Sequence, residues 1–240
     1  EVVSFQLPIW SEFAMLTIAC YKVGAVAHPI AMSYEEKELA RSLNITESRC
    51  YFGPTFFYKT DYEDRILAVR DQVPLLKDIV LIDSVKERKS DVALLREILT
   101  SYGPLPKERC VHTKNGQDIA VILCTSGTTG GTKGVLLTHD NVRYAEETFN
   151  RELGLTEEDI MFMPAPLHHA TGFHHAIIAP MLHGAKVVLQ QKYQCRLAIE
   201  FMNQENVTYS MGATPFIYDI LRELETNGGE IPSLKFYLCG

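Results

Sequence analysis

Thr125-Ser126-Gly127-Thr128-Thr129-Gly130-Gly131-Thr132-Lys133-Gly134 lies between two apolar runs, Ile119 to Cys124 and Val135 to Leu137. The flanks are short, apolar and bounded by turn residues, so they read as buried strands that present the segment between them. Those ten residues hold four glycines, five hydroxyls and one lysine. Glycine lets successive backbone N–H groups converge on an oxyanion, hydroxyls add neutral donors, and Lys133 adds a compact positive charge. The composition therefore points to an anion, most simply a phosphate. A glycine-rich hairpin without a ligand would explain the glycines but not the hydroxyls and the lysine. A Walker-type loop fits poorly. Thr132 and Gly134 flank Lys133 where that motif needs glycine and a hydroxyl residue. The segment behind the lysine is also strand-like, whereas a Walker loop feeds a helix N-terminus.

Outward from this loop, strand and helix signals alternate. Toward the N-terminus, strands are expected at Val2 to Leu7, Val26 to Ile30, Tyr51 to Gly53 and Ile79 to Ile82. Helices are expected at Trp10 to Val23, from Ser33 with a Ser33–Glu36 capping box, at Asp61 to Val73, and around Leu94 to Leu99. Tyr102 to Gly116 reads as an irregular connection. Beyond the loop, an amphipathic helix at Asn141 to Leu153 ends at Gly154, a C-cap. Strands follow at Ile160 to Met163, Lys186 to Leu189, Thr208 to Met211 and Phe236 to Cys239. Helices around His168 to Leu182, at Leu197 to Asn206 and from Phe216 to Leu224 separate them. This alternation predicts an α/β fold of mainly parallel sheets with helices on both faces.

The 240 residues are 46% hydrophobic and carry a formal charge of −7, enough for a sizeable core and without the basic cluster that tracks nucleic acid. No run of about 18 apolar residues is present, which argues against membrane insertion. Six widely spaced cysteines show no metal-ligand rhythm and fit free thiols in a reducing cytoplasm. The chain opens on Glu1 inside a strand-like run and stops after Phe236 to Cys239, so it reads as an internal fragment.

Thr125 to Gly134 resembles the phosphate-binding signature of the AMP-forming adenylating enzymes, the superfamily of acyl-CoA synthetases, firefly luciferase and nonribosomal adenylation domains. It departs at Thr132, where the family usually has proline, which implies a less rigid loop with no donor lost. Pro164-Ala165-Pro166-Leu167-His168-His169-Ala170-Thr171-Gly172-Phe173 is similar to the family's next motif, which lines the carboxylate and acyl site. By motif position its functional histidine is His169, with Phe173 as an apolar wall; His168, His174, His175 and His183 read as helix-coating residues. A metal site built from the pairs His168-His169 and His174-His175 lacks a carboxylate within the stretch, and no metal ligand is assigned. Met211-Gly212-Ala213-Thr214-Pro215-Phe216 resembles the strand-to-helix turn beside the acyl pocket. It reads equally well as an ordinary strand exit with Thr214 as N-cap and Pro215 at the first helical position. Leu238-Cys239-Gly240 would run into the family's adenine-site motif.

The resemblance implies the truncated large N-terminal domain of an acyl-CoA synthetase. A first subdomain would span residues 1–155 with the phosphate loop, an incomplete second would span 156–240, and the C-terminal domain would be absent. The wording of the second and third motifs is closest to short- or medium-chain fatty-acid and cyclohexanecarboxylate CoA ligases. The implied reaction has two steps: the carboxylate attacks the α-phosphate of ATP to give acyl-adenylate and pyrophosphate, then the thiol of coenzyme A displaces AMP. ATP, Mg²⁺ and coenzyme A are the implied cofactors, with a fatty or alicyclic acid as substrate. Thr125, Ser126, Gly127, Thr128, Thr129, Gly130, Gly131, Thr132 and Lys133 would hold the phosphates. Lys133 and His169 would carry catalysis, and His169, Phe173, Gly212, Ala213, Thr214 and Gly240 would meet the substrate. The family's remaining catalytic residues lie beyond position 240, so the chain alone is expected to be inactive. An incomplete second sheet would expose apolar surface and invite association into a homodimer. The alternative is a non-catalytic nucleotide-binding or assembly module of the same fold.

Overall fold

The computed structural model describes residues 1–84, 88–104, 106–107, 110, 115–125 and 133–239. The phosphate-loop residues Ser126 to Thr132, and Gly240, lie outside the described residues. The chain divides into two compact units: Glu1–Leu7 with Glu12–His139, and Pro8–Ser11 with the residues from Asp140 on.

The first unit is built from β1 (Val2–Phe5), α1 (Ser11–Val23), β2 (Val26–Pro29), α2 (Glu36–Ile45), β3 (Ser48–Pro54), α3 (Tyr62–Val69), β6 (Asp78–Ile82), β7 (Ala93–Leu94), α4 (Leu95–Ser101), β8 (Ile119–Thr125) and β9 (Lys133–Thr138). A small antiparallel pair, β4 (Phe56–Phe57) and β5 (Thr60–Asp61), precedes α3. The seven-stranded sheet has the order β7-β6-β3-β1-β2-β8-β9. Its pairings are parallel except the last, where β8 and β9 run antiparallel. Parallel strands covered on both faces need apolar side chains both ways, and Ala120, Val121, Ile122 and Leu123 of β8 are all buried. On one face α2 and α3 pack Leu39, Leu43, Ile66 and Val69 against Tyr51 and Leu81. The Tyr51 hydroxyl donates to Gln6 Oε1 at 2.9 Å, which satisfies the one polar atom of a fully buried ring.

The second unit contains α5 (His139–Leu153), which begins one residue before the division, then β10 (Ile160–Met163), α6 (Ala170–Phe173), a π turn (His174–Ile178), α7 (Ala179–His183), β11 (Lys186–Leu189), α8 (Cys195–Gln204), β12 (Tyr209–Gly212), α9 (Thr214–Asn227) and β13 (Phe236–Cys239). Its four-stranded sheet is wholly parallel in the order β11-β10-β12-β13. β10 passes first to β11 on one side and later to β12 on the other, so the strand order reverses there. Ligands of open α/β sheets bind beyond the carboxyl ends of the strands at such a reversal. The core joins Phe162 and Val188 to Ala198, Met202, Val207 and Ile220. Gly154 closes α5 at φ +65°, the left-handed C-cap conformation.

Three local expectations are corrected. The Ser33–Glu36 capping box does not form: α2 starts at Glu36 behind an extended Glu35 with no side-chain cap. Residues 31–34 are instead a turn, Tyr34 N–H donating to the Ala31 carbonyl. Gln6 Nε2 donates to the Ala31 and Tyr34 carbonyls, and Arg65 Nη1 donates to Tyr34 as well. Tertiary donors fix that turn and delay the helix. The helix expected over His168 to Leu182 is broken into three pieces. Pro180 cannot donate to the carbonyl of residue 176, and the wider π turn immediately before α7 lies where the α-helical ladder would be broken. Thr214 is the first residue of α9 rather than its N-cap; Ala213 takes that place, extended at ψ 153°, with no side-chain cap.

Candidate functional site

Among the described residues the phosphate loop is represented by its two roots. Thr125 and Lys133 face each other as cross-strand partners where β8 meets β9, and both are exposed. Gly134, opposite Cys124, leaves no room for a side chain, because a Cβ would approach Ile122 Cγ2 to 2.9 Å. Beneath this root lies a polar cluster that the sequence did not suggest. His28 is fully buried, with Nδ1 2.7 Å from Ser4 Oγ and Nε2 3.2 Å from Ser42 Oγ and 3.4 Å from Cys124 Sγ. Burial drives the His28 pKa down to about 3 and raises that of the Cys124 thiol. Both groups are neutral at physiological pH, so the root rests on an uncharged network and Lys133 supplies the local positive charge.

In the second unit the two other motifs meet at one end of the sheet. β10 runs into Pro164 to Phe173 and its neighbour β12 runs into Gly212 to Thr214. A Cβ on Gly212 would lie 3.0 Å from Pro164 Cγ, 2.8 Å from the Tyr237 hydroxyl and 3.1 Å from Phe216 Cδ2. The room left by this glycine is filled by protein side chains. Ala213 and Thr214 are exposed, and Thr214 borders an open depression of about 320 Å³ with Pro215, Tyr218 and Asp219. Phe173 is fully buried, so its ring is a core element behind the motif.

His169 is exposed and caps α6: its Nδ1 accepts the Thr171 N–H at 3.4 Å. That bond makes Nδ1 the acceptor, so in the neutral ring Nε2 carries the proton and is a donor suited to a carboxylate or phosphate oxygen. His168 is half-buried; burial first, then the neighbouring His169, lowers its pKa to about 4. The backbone around His169 is tightly packed. His169 N–H donates to the Pro166 carbonyl at 3.1 Å and Phe173 N–H to the His169 carbonyl at 2.8 Å. Gly172 lies directly against Pro166, with a hypothetical Cβ only 2.2 Å from the Pro166 oxygen.

One residue absent from the sequence expectation stands behind this motif. Glu146 of α5 is almost wholly buried, with Oε1 3.1 Å from His174 Nδ1 and Oε2 3.0 Å from His175 Nδ1. Burial alone would raise its pKa, but the hydrogen bonds from the two histidines outweigh it and the carboxyl is held below its ordinary range. Here is the carboxylate that the histidine-rich stretch lacks, supplied from another helix. The signal for it was its place on the inward stripe Val142, Glu146, Asn150 of α5. Among the described residues no group of three histidine, cysteine, aspartate or glutamate side chains is arranged to hold a metal ion.

The family model for the AMP-binding enzyme matches residues 1–240. The chain belongs to the AMP-binding enzyme family. A medium-chain fatty-acid–CoA ligase of Escherichia coli (strain K12) is 40% identical over 238 residues, covering 99% of this chain and 41% of that protein. A mitochondrial malonate–CoA ligase of Bos taurus is 28% identical over 218 residues, covering 88% of this chain and 33% of that protein. The crystal structure of a long-chain-fatty-acid–CoA ligase from Archaeoglobus fulgidus superposes with a TM-score of 0.85 at 23% identity, over 100% of this chain and 46% of that one. This AMP-binding enzyme chain thus spans less than half the length of these relatives and shares their α/β fold. No helix among its described residues is long and apolar enough to cross a membrane.

Proposed function

We propose that this chain is part of an AMP-forming acyl-CoA ligase that activates a fatty acid of short or medium length as its acyl-adenylate. ATP and coenzyme A would be its co-substrates, with Mg²⁺ accompanying the nucleotide. In the first step a carboxylate oxygen bonds to the α-phosphorus while the bond to the β-phosphate oxygen breaks and pyrophosphate leaves. In the second, the thiolate sulfur of coenzyme A bonds to the acyl carbon and AMP leaves. Thr125 to Lys133 would hold the departing phosphates, Lys133 countering the charge that grows there. His169 would address the substrate carboxylate through its Nε2 proton, and Gly212, Ala213 and Thr214 would shape the approach of the acyl chain. Gly240 would belong to the next part of the site, and Phe173 would support the motif from within. The protein would be cytoplasmic and would associate as a homodimer.

The observation that carries this reading is the position of His169: an exposed residue in the segment that follows β10, at the strand reversal of the second sheet, with Nδ1 taken up as an acceptor, in a chain of this family. The test is carboxylate-dependent exchange of pyrophosphate into ATP by the full-length protein, run over acids from acetate to palmitate. Exchange that peaks with medium-chain acids and falls about 100-fold or more in Lys133→Ala is the expected result. No exchange with any acid, or full exchange in Lys133→Ala, would overturn it.

A further inference from the structure

The inward stripe of α5 contains a buried carboxylate and a buried amide where apolar residues would pack at lower desolvation cost. Glu146 bonds His174 and His175, and Asn150 Nδ2 lies 2.9 Å from the Ala179 carbonyl and 2.7 Å from His183 Nδ1. All of these partners belong to the π turn and α7, the elements that directly follow Gly172. An ionised carboxylate is acceptor-only, so both ring Nδ1 atoms must carry protons for both bonds to exist. The two bonds fix two adjacent side chains at once, one oxygen each. A helix held this way cannot slide or rotate by a residue without breaking one of them. Two residues upstream, Gly172 presses on the Pro166 carbonyl, and Pro166 in turn receives the His169 N–H. Glu146 is therefore connected to His169 through a short series of rigid contacts.

We propose that Glu146 is a positioning residue for carboxylate activation: by binding His174 and His175 together it sets the register of the π turn that continues α6, the helix that His169 caps. This rests on the function proposed above. A buried charge that brings no net stability over an apolar side chain can still select one packing arrangement. A misplacement of about 1 Å at a reacting group costs on the order of 100-fold. The π turn fits this role, since such turns concentrate at functional sites.

The test compares Glu146→Gln and Glu146→Leu in the full-length protein by pyrophosphate exchange, varying the carboxylate and ATP separately, alongside thermal unfolding. Glutamine keeps one acceptor oxygen and leucine keeps none. The expected result is a carboxylate KM that rises in the order wild type, glutamine, leucine, by on the order of tenfold to 100-fold at the extreme, with the ATP KM unchanged. Equal rises in both KM values, or a wild-type carboxylate KM in Glu146→Leu, would overturn the positioning role while leaving the ligase reading intact. Absence of exchange in the wild type would instead remove the ligase reading and this role with it. If the Glu146 variants do not fold, His174→Asn and His174→Phe replace them. Asparagine retains a donor near the Nδ1 position and should keep a low carboxylate KM, and phenylalanine should raise it. Equal KM values for the two would overturn the proposal.

Discussion

Replacing Gly172 by alanine should separate stability from activity. The added Cβ would lie 2.2 Å from the Pro166 oxygen, 2.7 Å from its carbonyl carbon and 2.9 Å from Leu167 Cα. All three are backbone atoms, so no side chain can rotate away, and the two segments must part by about 1 Å to reach ordinary van der Waals contact. Overpacking of this kind costs about 1–3 kcal/mol. Gly172 sits inside α6, where alanine recovers about 1 kcal/mol of helix propensity. The net loss is then about 0–2 kcal/mol, which lowers Tm by at most about 8 °C for a domain of this size. The same 1 Å parting moves Pro166, whose carbonyl holds the His169 N–H, and a misplacement of that size costs on the order of 100-fold in rate. Thermal unfolding and carboxylate-dependent pyrophosphate exchange on the full-length protein measure the two effects. Exchange within about twofold of wild type, with Tm lowered as expected, would show that the strain is absorbed without moving His169 and would refute the coupling.

Gly212→Ala meets side-chain atoms only, the nearest being the Tyr237 hydroxyl at 2.8 Å, so it is expected to cost about 1 kcal/mol and to be rescued in part by Tyr237→Phe, as urea unfolding of the double-mutant cycle would show. Acid should destabilise the protein in two stages. His28 and His168 are depressed to about 3 and about 4, below the unfolded value of about 6.5, so the unfolded chain binds protons first as the pH falls. Each then removes up to ~1.4 kcal/mol per pH unit between about 6.5 and its folded pKa, and His28→Gln should flatten that slope in urea titrations at pH 7, 6 and 5. Glu146 and Asp159 act in the same direction in a lower window: both are held low, Asp159 at about 2, so their stabilisation persists to about pH 4 and is lost only below it.

Strands and helices whose signals are local could be read directly from the chain. Ile160–Met163, Lys186–Leu189 and Phe236–Cys239 form as strands at the expected bounds because each is a short apolar run closed by turn residues. The glycine, hydroxyl and lysine composition of Thr125 to Gly134 and the histidine motif pointed to the family, which the full-length family match bears out. Features that depend on distant partners were not legible. Ser33 has a capping sequence, but Gln6 and Arg65 claim the neighbouring carbonyls from far along the chain. The π turn directly precedes α7 with its Pro180 and contains the two histidines that Glu146 binds; the proline is visible in the sequence, the pairing with a distant helix is not. His28 is a single polar residue within the strand expected over Val26 to Ile30, and its partners Ser4, Ser42 and Cys124 come from three other elements.

Those two unanticipated clusters solve the same problem in different ways. Each motif is backed by buried polar side chains, and burying a charge without a partner would cost several kcal/mol. Behind the phosphate-loop root the answer is neutrality: burial keeps His28 and Cys124 uncharged. Behind His169 the answer is pairing: Glu146 keeps its charge because two ring N–H groups compensate it. A neutral network can be replaced by well-packed apolar groups at little cost, whereas removing one partner of a buried ion strands the other. Substitutions at Ser4 or Ser42 should therefore act mainly on stability. Substitutions at His174 or His175 that remove the ring donor, such as His174→Phe, leave a buried carboxylate short of a donor, and the π turn is expected to shift in recovering one, which would displace the backbone next to His169.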